Sequence, residues 1–272
     1  MNMKDKVVIV TGGSSGIGEA CAESFAKAGA KVVITGRSDE KLAEAKKTLI
    51  QKGCDTILTI SGDVSSEEDC NNTIIKVLDT YGKIDVLINN AGISMRSLFD
   101  DIEIDVFKQV MNVNFYGALY MTKSCLSHIK KTKGSIIGIS SIAGKKGLPA
   151  RTAYSASKFA MEGFLQALRI ELIHDEVHVL VVSPGFVKTN IRNTALKSDG
   201  SQQGQSPKNE DKLMTAEEVA EAVLIATVKR KRDLILTTQG KTLVQVNKFA
   251  PSLADKQVYK HFANEPDSPL KK

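Results

Sequence analysis

Lys6-Val-Val-Ile-Val-Thr-Gly-Gly-Ser-Ser-Gly-Ile-Gly18 decides the fold. Four consecutive β-branched residues, Val7 to Val10, suit a strand covered on both faces. From Gly16 to Ala28 the apolar residues recur at helical spacing. A strand, a glycine-rich turn and a helix in that order make an anion cradle. Gly12 permits the tight turn, Gly16 lets a pyrophosphate come close to the backbone, and Gly18 lets the helix pack tightly on the strand. The unpaired N–H groups and positive dipole end of the helix then face the phosphates. Ser14, Ser15 and Ile17 lie between these glycines and belong to the same candidate cofactor-binding set. The spacing is Gly-x3-Gly-x-Gly rather than Gly-x-Gly-x2-Gly, so the flanking strand and helix carry the assignment.

Outward from this turn the alternation continues. Strands are expected at 6–10, 31–35, 56–60, 85–88, 135–139, 177–182 and 233–236. Helices are expected at 16–28, 39–51, 67–80, 104–111, 116–130, 153–172 and 216–228. Strict alternation with near-continuous apolar strands implies a Rossmann-type α/β fold: a doubly wound, mainly parallel seven-stranded sheet with helices on both faces. Residues 1–239 form one such domain. Within it 187–214 is polar and rich in Gly, Ser and Gln from Ala195 on, and reads as a substrate-binding loop or lid. Residues 240–272 form a C-terminal helical tail interrupted by Pro251, whose end, EPDSPLKK, is expected to fray.

The end of the second strand reads Thr35-Gly36-Arg37-Ser38. A carboxylate there would accept bonds from a ribose 2′-hydroxyl. Its absence, with a guanidinium in its place, suits a 2′-phosphate, so NADP(H) is the expected cofactor.

The chemistry is expected from Ser140 to Lys158, SSIAGKKGLPARTAYSASK. On a helix beginning near Ala153, Tyr154 and Lys158 share one face. A neighbouring ammonium favours the phenolate and lowers the tyrosine pKa, so that Tyr154 could pass a proton to a carbonyl oxygen while hydride arrives from elsewhere. Tyr-x3-Lys alone also occurs by chance on helix surfaces.

Jointly, Thr11–Gly18, Asp63-Val64, Asn89-Asn90-Ala91-Gly92, Asn112-Val113-Asn114, Ser140-Ser141, Tyr154-x3-Lys158 and Pro184-Gly185 resemble the short-chain dehydrogenase/reductase family, in its compact single-domain branch. The likeness runs from the first strand to about residue 236. The stretches SMRS, Thr189-Asn190 and KRKRDLIL are more particularly similar to its DHRS7-like and 11β-hydroxysteroid-dehydrogenase-like members. This resemblance implies that Tyr154 is the acid in reduction and the base in oxidation, and that Lys158 binds the nicotinamide ribose and lowers the tyrosine pKa. It implies that Ser141 hydrogen-bonds the substrate oxygen and that Asn114 holds a water of a proton relay. Asp63 and Val64 would meet the adenine, Ser38 would join Arg37, and Asn90, Ala91 and Gly92 would line the cofactor. Pro184, Gly185, Val187 and Thr189 would form the nicotinamide end. The implied activity is NADP(H)-dependent reduction of a ketone or aldehyde, or oxidation of the secondary alcohol, by a homodimer or homotetramer. Alternatives are a 3-oxoacyl thioester reductase and a non-catalytic NADP(H)-sensing module. The further tail after Leu234–Gly240 speaks against the acyl-carrier-protein reductases. It could cover the substrate cleft, pack on a partner subunit or lie on a membrane surface.

Composition narrows the classes. A net charge of +6 and a pI near 9.0 come from short runs such as Lys229-Arg230-Lys231-Arg232, without aromatic interleaving, which argues against nucleic-acid binding. The four scattered cysteines read as reduced thiols, and MNMKDK leads straight into the first strand without a signal peptide, so a cytoplasmic location is expected. No apolar run is long enough for a transmembrane segment. His174-Asp-Glu-Val-His178 lacks the HExxH spacing, and no metal site is expected. Arg96, Lys188 and Arg192 flank the expected cleft, either to meet an acidic substrate group or as rim charges.

Overall fold

The structure is a computed structural model and describes residues 2–204 and 213–271. Seven strands run parallel in the order β3-β2-β1-β4-β5-β6-β7. They are β1 (Val7–Thr11), β2 (Lys31–Gly36), β3 (Ile57–Ser61), β4 (Val86–Asn89), β5 (Ser135–Ile139), β6 (His178–Ser183) and β7 (Asp233–Ile235). From β1 the chain winds outward through β2 and β3, then crosses back to β4 beside β1. The crevice beyond the carboxyl ends of β1 and β4 is therefore the topological switch point, where ligands of open α/β sheets bind.

Alternation along the strands supplies two cores. Val8 and Val10 of β1 pack with helices α1 (Gly16–Lys27), α2 (Asp39–Gln51) and α7 (Ala216–Val228). Val7 and Ile9 pack on the opposite face with α3 (Glu67–Tyr81), α5 (Gly117–Thr132) and α6 (Thr152–Glu171). Burial on both faces is why these strands read as unbroken apolar runs. The helix boundaries follow local chemistry. Ser38 and Ser66 cap α2 and α3 through their hydroxyls, α3 stops at Gly82 in the left-handed region, and α7 opens with a reciprocal Thr215–Glu218 capping box.

Two places depart from the sequence reading, and a third is described only in part. Helix α4 (Ile104–Met111) does not break before α5: a single π turn, Asn112–Tyr116, joins them. Residues 205–212 of the expected lid lie outside the described residues. The part before them is anchored by short bridges, Met95 to Leu196 and Val187 to Met214, over a small third core of Met95, Val106, Val110, Ala153 and Leu196. The tail forms α8 (Thr238–Phe249) and α9 (Pro251–Ala263), with Pro251 where a helix tolerates it, in the first turn. Its end is not frayed: Glu265 and Ser268 are buried, and the Ser268 hydroxyl donates to the Phe262 carbonyl at 2.7 Å.

Candidate active site

The β1–α1 turn is built for close approach. Gly12 has φ +63°, a conformation that L side chains rarely adopt. A Cβ at Gly18 would stand 2.2 Å from the Gly12 carbonyl oxygen, so only glycine lets α1 start this near the strand. Asn90 stitches the turn from the β4 side, its amide donating to the carbonyls of Thr11 at 2.9 Å and Gly12 at 3.1 Å. The Thr11 hydroxyl accepts from the N–H groups of Asn90 and Ala91 at 3.0 Å. Ser15, the residue before α1, makes no side-chain cap, so the helix dipole end is left for another acceptor.

A cleft of about 500 Å³ opens there, lined by Gly12, Ser14, Ser15, Gly16, Ile17, Asn90, Ala91, Gly92 and Thr189 among others. Arg37 is exposed at the end of β2 and forms no ion pair among the described residues. Ser38 beside it is spent as the α2 cap, accepting from the Lys41 N–H. The Asp63 carboxylate accepts from the N–H and hydroxyl of Ser65 at 2.9 and 2.8 Å, holding the corner after β3. Val64 packs against the Gly117 start of α5. At the other end Val187 is buried, and Gly185 lies so near Thr237 that a Cβ would meet its hydroxyl at 2.5 Å. Thr189 sits over Gly16: a Cβ there would meet the Thr189 methyl at 3.4 Å. The loop after β6 thus closes over the glycine turn.

Gly92 joins this cleft to the catalytic candidates. A Cβ there would lie 3.2 Å from Asn114 Oδ1 and 3.6 Å from Lys158 Nζ. Ser141 lies two residues beyond β5, and its hydroxyl hydrogen-bonds with that of Tyr154 and accepts from the Ala143 N–H at 3.1 Å. The Lys158 ammonium lies 5.7 Å from the centroid of the Tyr154 ring and donates to the Ile139 carbonyl at 2.8 Å. Asn114, in the π turn, is fully buried: its amide donates to the Ile93 carbonyl and the Ser157 hydroxyl, both at 2.9 Å, and its oxygen accepts from the Ile93 N–H at 2.8 Å. Both side-chain donors are spent, one on the Ile93 backbone and one on Ser157 of α6, leaving only acceptor capacity for a water.

The electrostatics correct one expectation. Burial pushes the Tyr154 phenol above its ordinary value, against the Ser141 hydrogen bond and the nearby Arg151 charge, which pull it down. Desolvation outweighs that hydrogen bond and the one positive neighbour, and the tyrosine is held protonated. Burial likewise pulls Lys158 down to about 8, with the Glu162 carboxylate opposing the fall.

Three residues of the site were missed in the sequence. Glu162 lies four residues beyond Lys158 on α6 and is buried. Its carboxylate accepts from Ser140 and Ser183 at 2.8 and 3.1 Å and pairs with Lys145. Extending the i, i+4 step from Tyr154 and Lys158 once more would have found it. Arg151 precedes α6, and Glu265 approaches it from the tail at 3.8 Å. No spacing in the sequence pairs those two.

The chain belongs to the short-chain dehydrogenase family, a family of oxidoreductases, whose family model matches residues 6–200. Within it the chain is of the dehydrogenase/reductase 7 type. It is 37% identical over 258 residues to "Dehydrogenase/reductase SDR family member 7B" of Rattus norvegicus, covering 92% of this chain and 79% of that protein. It is 36% identical over 255 residues to the "Dehydrogenase/reductase SDR family protein 7-like" of Drosophila melanogaster, covering 91% and 78%. Among solved structures, an alcohol dehydrogenase of Thermococcus sibiricus complexed with 5-hydroxy-NADP superposes with TM-score 0.73 at 26% identity, covering 85% of this chain and 95% of that one. A short chain dehydrogenase/reductase of Burkholderia phymatum in complex with NAD shares the fold, with TM-score 0.83 at 22% identity, covering 93% and 96%. Among the described residues no helix is long and apolar enough to cross a membrane.

Proposed function

We propose that this protein is an NADP(H)-dependent oxidoreductase that reduces a ketone or aldehyde, with Tyr154 as proton donor. The observation that carries this reading is the convergence of Ser141 and Lys158 on a partly buried, protonated Tyr154 near the dinucleotide-shaped cleft. The residues present fit the dinucleotide. The uncapped α1 terminus and the Gly12–Gly18 turn suit its pyrophosphate, and Arg37 without a carboxylate at the end of β2 suits a 2′-phosphate.

When bound, the nicotinamide supplies the hydride in reduction and accepts it in oxidation. The Ser141 hydroxyl donates a hydrogen bond to the substrate oxygen and stabilises the negative charge that grows there. Tyr154 gives its proton to that oxygen, a step worth about 10²–10⁴-fold in such sites. Lys158 stabilises the phenolate left behind, and Asn114 holds the Gly92–Ile93 backbone against both cofactor and lysine. Residues 1–239 would carry the chemistry, and the tail would cover the substrate side. A homodimer or homotetramer is supported by the apolar side chains of Phe159 and Ile170, exposed along α6.

The test is cofactor oxidation followed at 340 nm with NADPH and NADH against aldehydes, diketones, 3-oxoacyl thioesters and 3-ketosteroids. Turnover with NADPH alone is expected. A preference for NADH overturns the role of Arg37, and turnover confined to 3-oxoacyl thioesters selects that narrower activity.

A further inference from the structure

One carboxylate ties together parts of the site that come from different strands. Glu162 is buried on α6, one turn beyond Lys158. Its Oε1 accepts from the hydroxyls of Ser140 and Ser183 at 2.8 and 3.1 Å, and its Oε2 lies 2.5 Å from the Lys145 ammonium. The three partners bracket the reacting groups. Ser140 stands between β5 and Ser141, and Lys145 closes the single 3-10 turn, Ile142–Gly144, that follows Ser141. Ser183 ends β6, just before Pro184 and Gly185. The backbones of these two segments are themselves joined: the Ser140 N–H donates to the Val182 carbonyl at 2.7 Å, and the Ile142 N–H to the Pro184 carbonyl at 2.9 Å. Glu162 fastens the pair from the helix side.

The contact is close. A Cβ at Gly144 would meet Ser140 Oγ at 2.6 Å, Glu162 Oε1 at 2.7 Å and the Lys158 carbonyl at 3.0 Å, so the turn after Ser141 rests directly on α6. A buried, paired carboxylate adds little net stability over an apolar side chain of similar volume. What it does supply is direction, because each of its bonds holds a partner at one place. The same carboxylate acts on Lys158 through its charge. Burial pulls Lys158 down to about 8, and Glu162 opposes the fall. The charged and titratable groups around this ammonium are Tyr154 and Glu162 on α6, with Lys145 on the turn paired to Glu162. On the β4 side stand the uncharged Gly92 and Asn114.

We infer that Glu162 is a positioning residue of the reaction: through Ser140 and Lys145 it fixes the Ser141 hydroxyl against Tyr154, and through its charge it supports the Lys158 ammonium. This rests on the proposed carbonyl reduction at Tyr154. The two actions are separable, because the first passes through Ser141 and holds at any pH, whereas the second shows only where Lys158 titrates.

The experiment follows kcat and kcat/KM against pH for the full chain with NADPH and whichever aldehyde, diketone, 3-oxoacyl thioester or 3-ketosteroid turns over fastest. Glu162→Gln and Ser140→Ala are measured alone and combined with Ser141→Ala, with thermal unfolding and NADPH binding by fluorescence reporting the fold. At about pH 6, where Lys158 is protonated, Glu162→Gln should lower kcat about tenfold or more and Ser140→Ala about threefold, because Ser141 is no longer held in place. In the Ser141→Ala background, which lacks the hydroxyl being positioned, neither should cost more than about twofold. The alkaline limb of kcat/KM should move in the acid direction in Glu162→Gln and stay in place in Ser140→Ala. Losses of equal size with and without Ser141 overturn the positioning role, and so does a Glu162→Gln enzyme with the parent's kcat and pH profile. Should Glu162→Gln not fold, the Ser140→Ala pair decides the positioning by the same criterion. A parent chain that turns over none of these carbonyl compounds overturns the reductase reading and this inference with it, whereas unchanged variants of an active parent overturn this inference alone.

Discussion

Two buried charge clusters flank Tyr154, and they are built in opposite ways. Behind it, Lys158 and Glu162 follow at successive i+4 steps along α6, and Glu162 is held by the strand-end residues Ser140 and Ser183 at hydrogen-bond length. In front of it, Arg96, Arg151 and Glu265 come from three distant segments, and the ion-pair contacts run to 3.6 and 3.8 Å. The first cluster is rigid because one helix and two strand ends place every member. The second exists only because α9 docks, through Phe262 on Arg151 and Phe186 on His261. The rear cluster is placed by secondary structure alone, whereas the front cluster is assembled only when the tail docks.

Neutralising Glu162 breaks the comparison on its rigid side and should have the larger effect. Glu162→Gln removes the charge that opposes the fall of the Lys158 pKa. Lys158 should then lose its proton at lower pH than about 8, and the alkaline limb of kcat/KM should move in the acid direction. The same change should cost about 1–3 kcal/mol of stability, because Lys145 and two buried hydroxyls lose a charged acceptor. A pH profile identical to the parent's would show that Glu162 only packs.

Glu265→Gln sharpens the other side, with a smaller effect. Its contacts with Arg96 and Arg151 are too long to be strong bonds, and Arg96 keeps the Pro266 carbonyl, so a loss of about 1 kcal/mol in thermal unfolding is expected. If instead this variant destabilises the protein more than Glu162→Gln does, the front cluster is as structural as the rear, and the distinction fails.

The same contrast marks how far the sequence could be read. The sheet was legible because each strand is apolar on both faces and each crossover is a helix of ordinary length, so periodicity sufficed. The glycine turn and the Tyr154–Lys158 face were legible because their chemistry depends on spacings of two to four residues. The expected lowering of the tyrosine pKa was not met, since spacing reports the lysine but not the depth at which both are buried. Asn114 was seen as a site residue, but the π turn that carries it leaves no mark in helical periodicity. Least legible was the tail: nothing in EPDSPLKK announces a partner for Arg96, and Pro266 reaches it across 170 residues of chain. Expecting that segment to fray was reasonable from composition alone, and docking overrode it.

The most direct test of the central claim is Tyr154→Phe, assayed for NADPH oxidation with the best carbonyl substrate and titrated with NADPH by fluorescence. Proton transfer from this hydroxyl predicts a loss of about 10²–10⁴-fold in kcat with cofactor binding retained. A variant as active as the parent would contradict the account, because no other residue placed at the end of the cleft holds a proton in the same position.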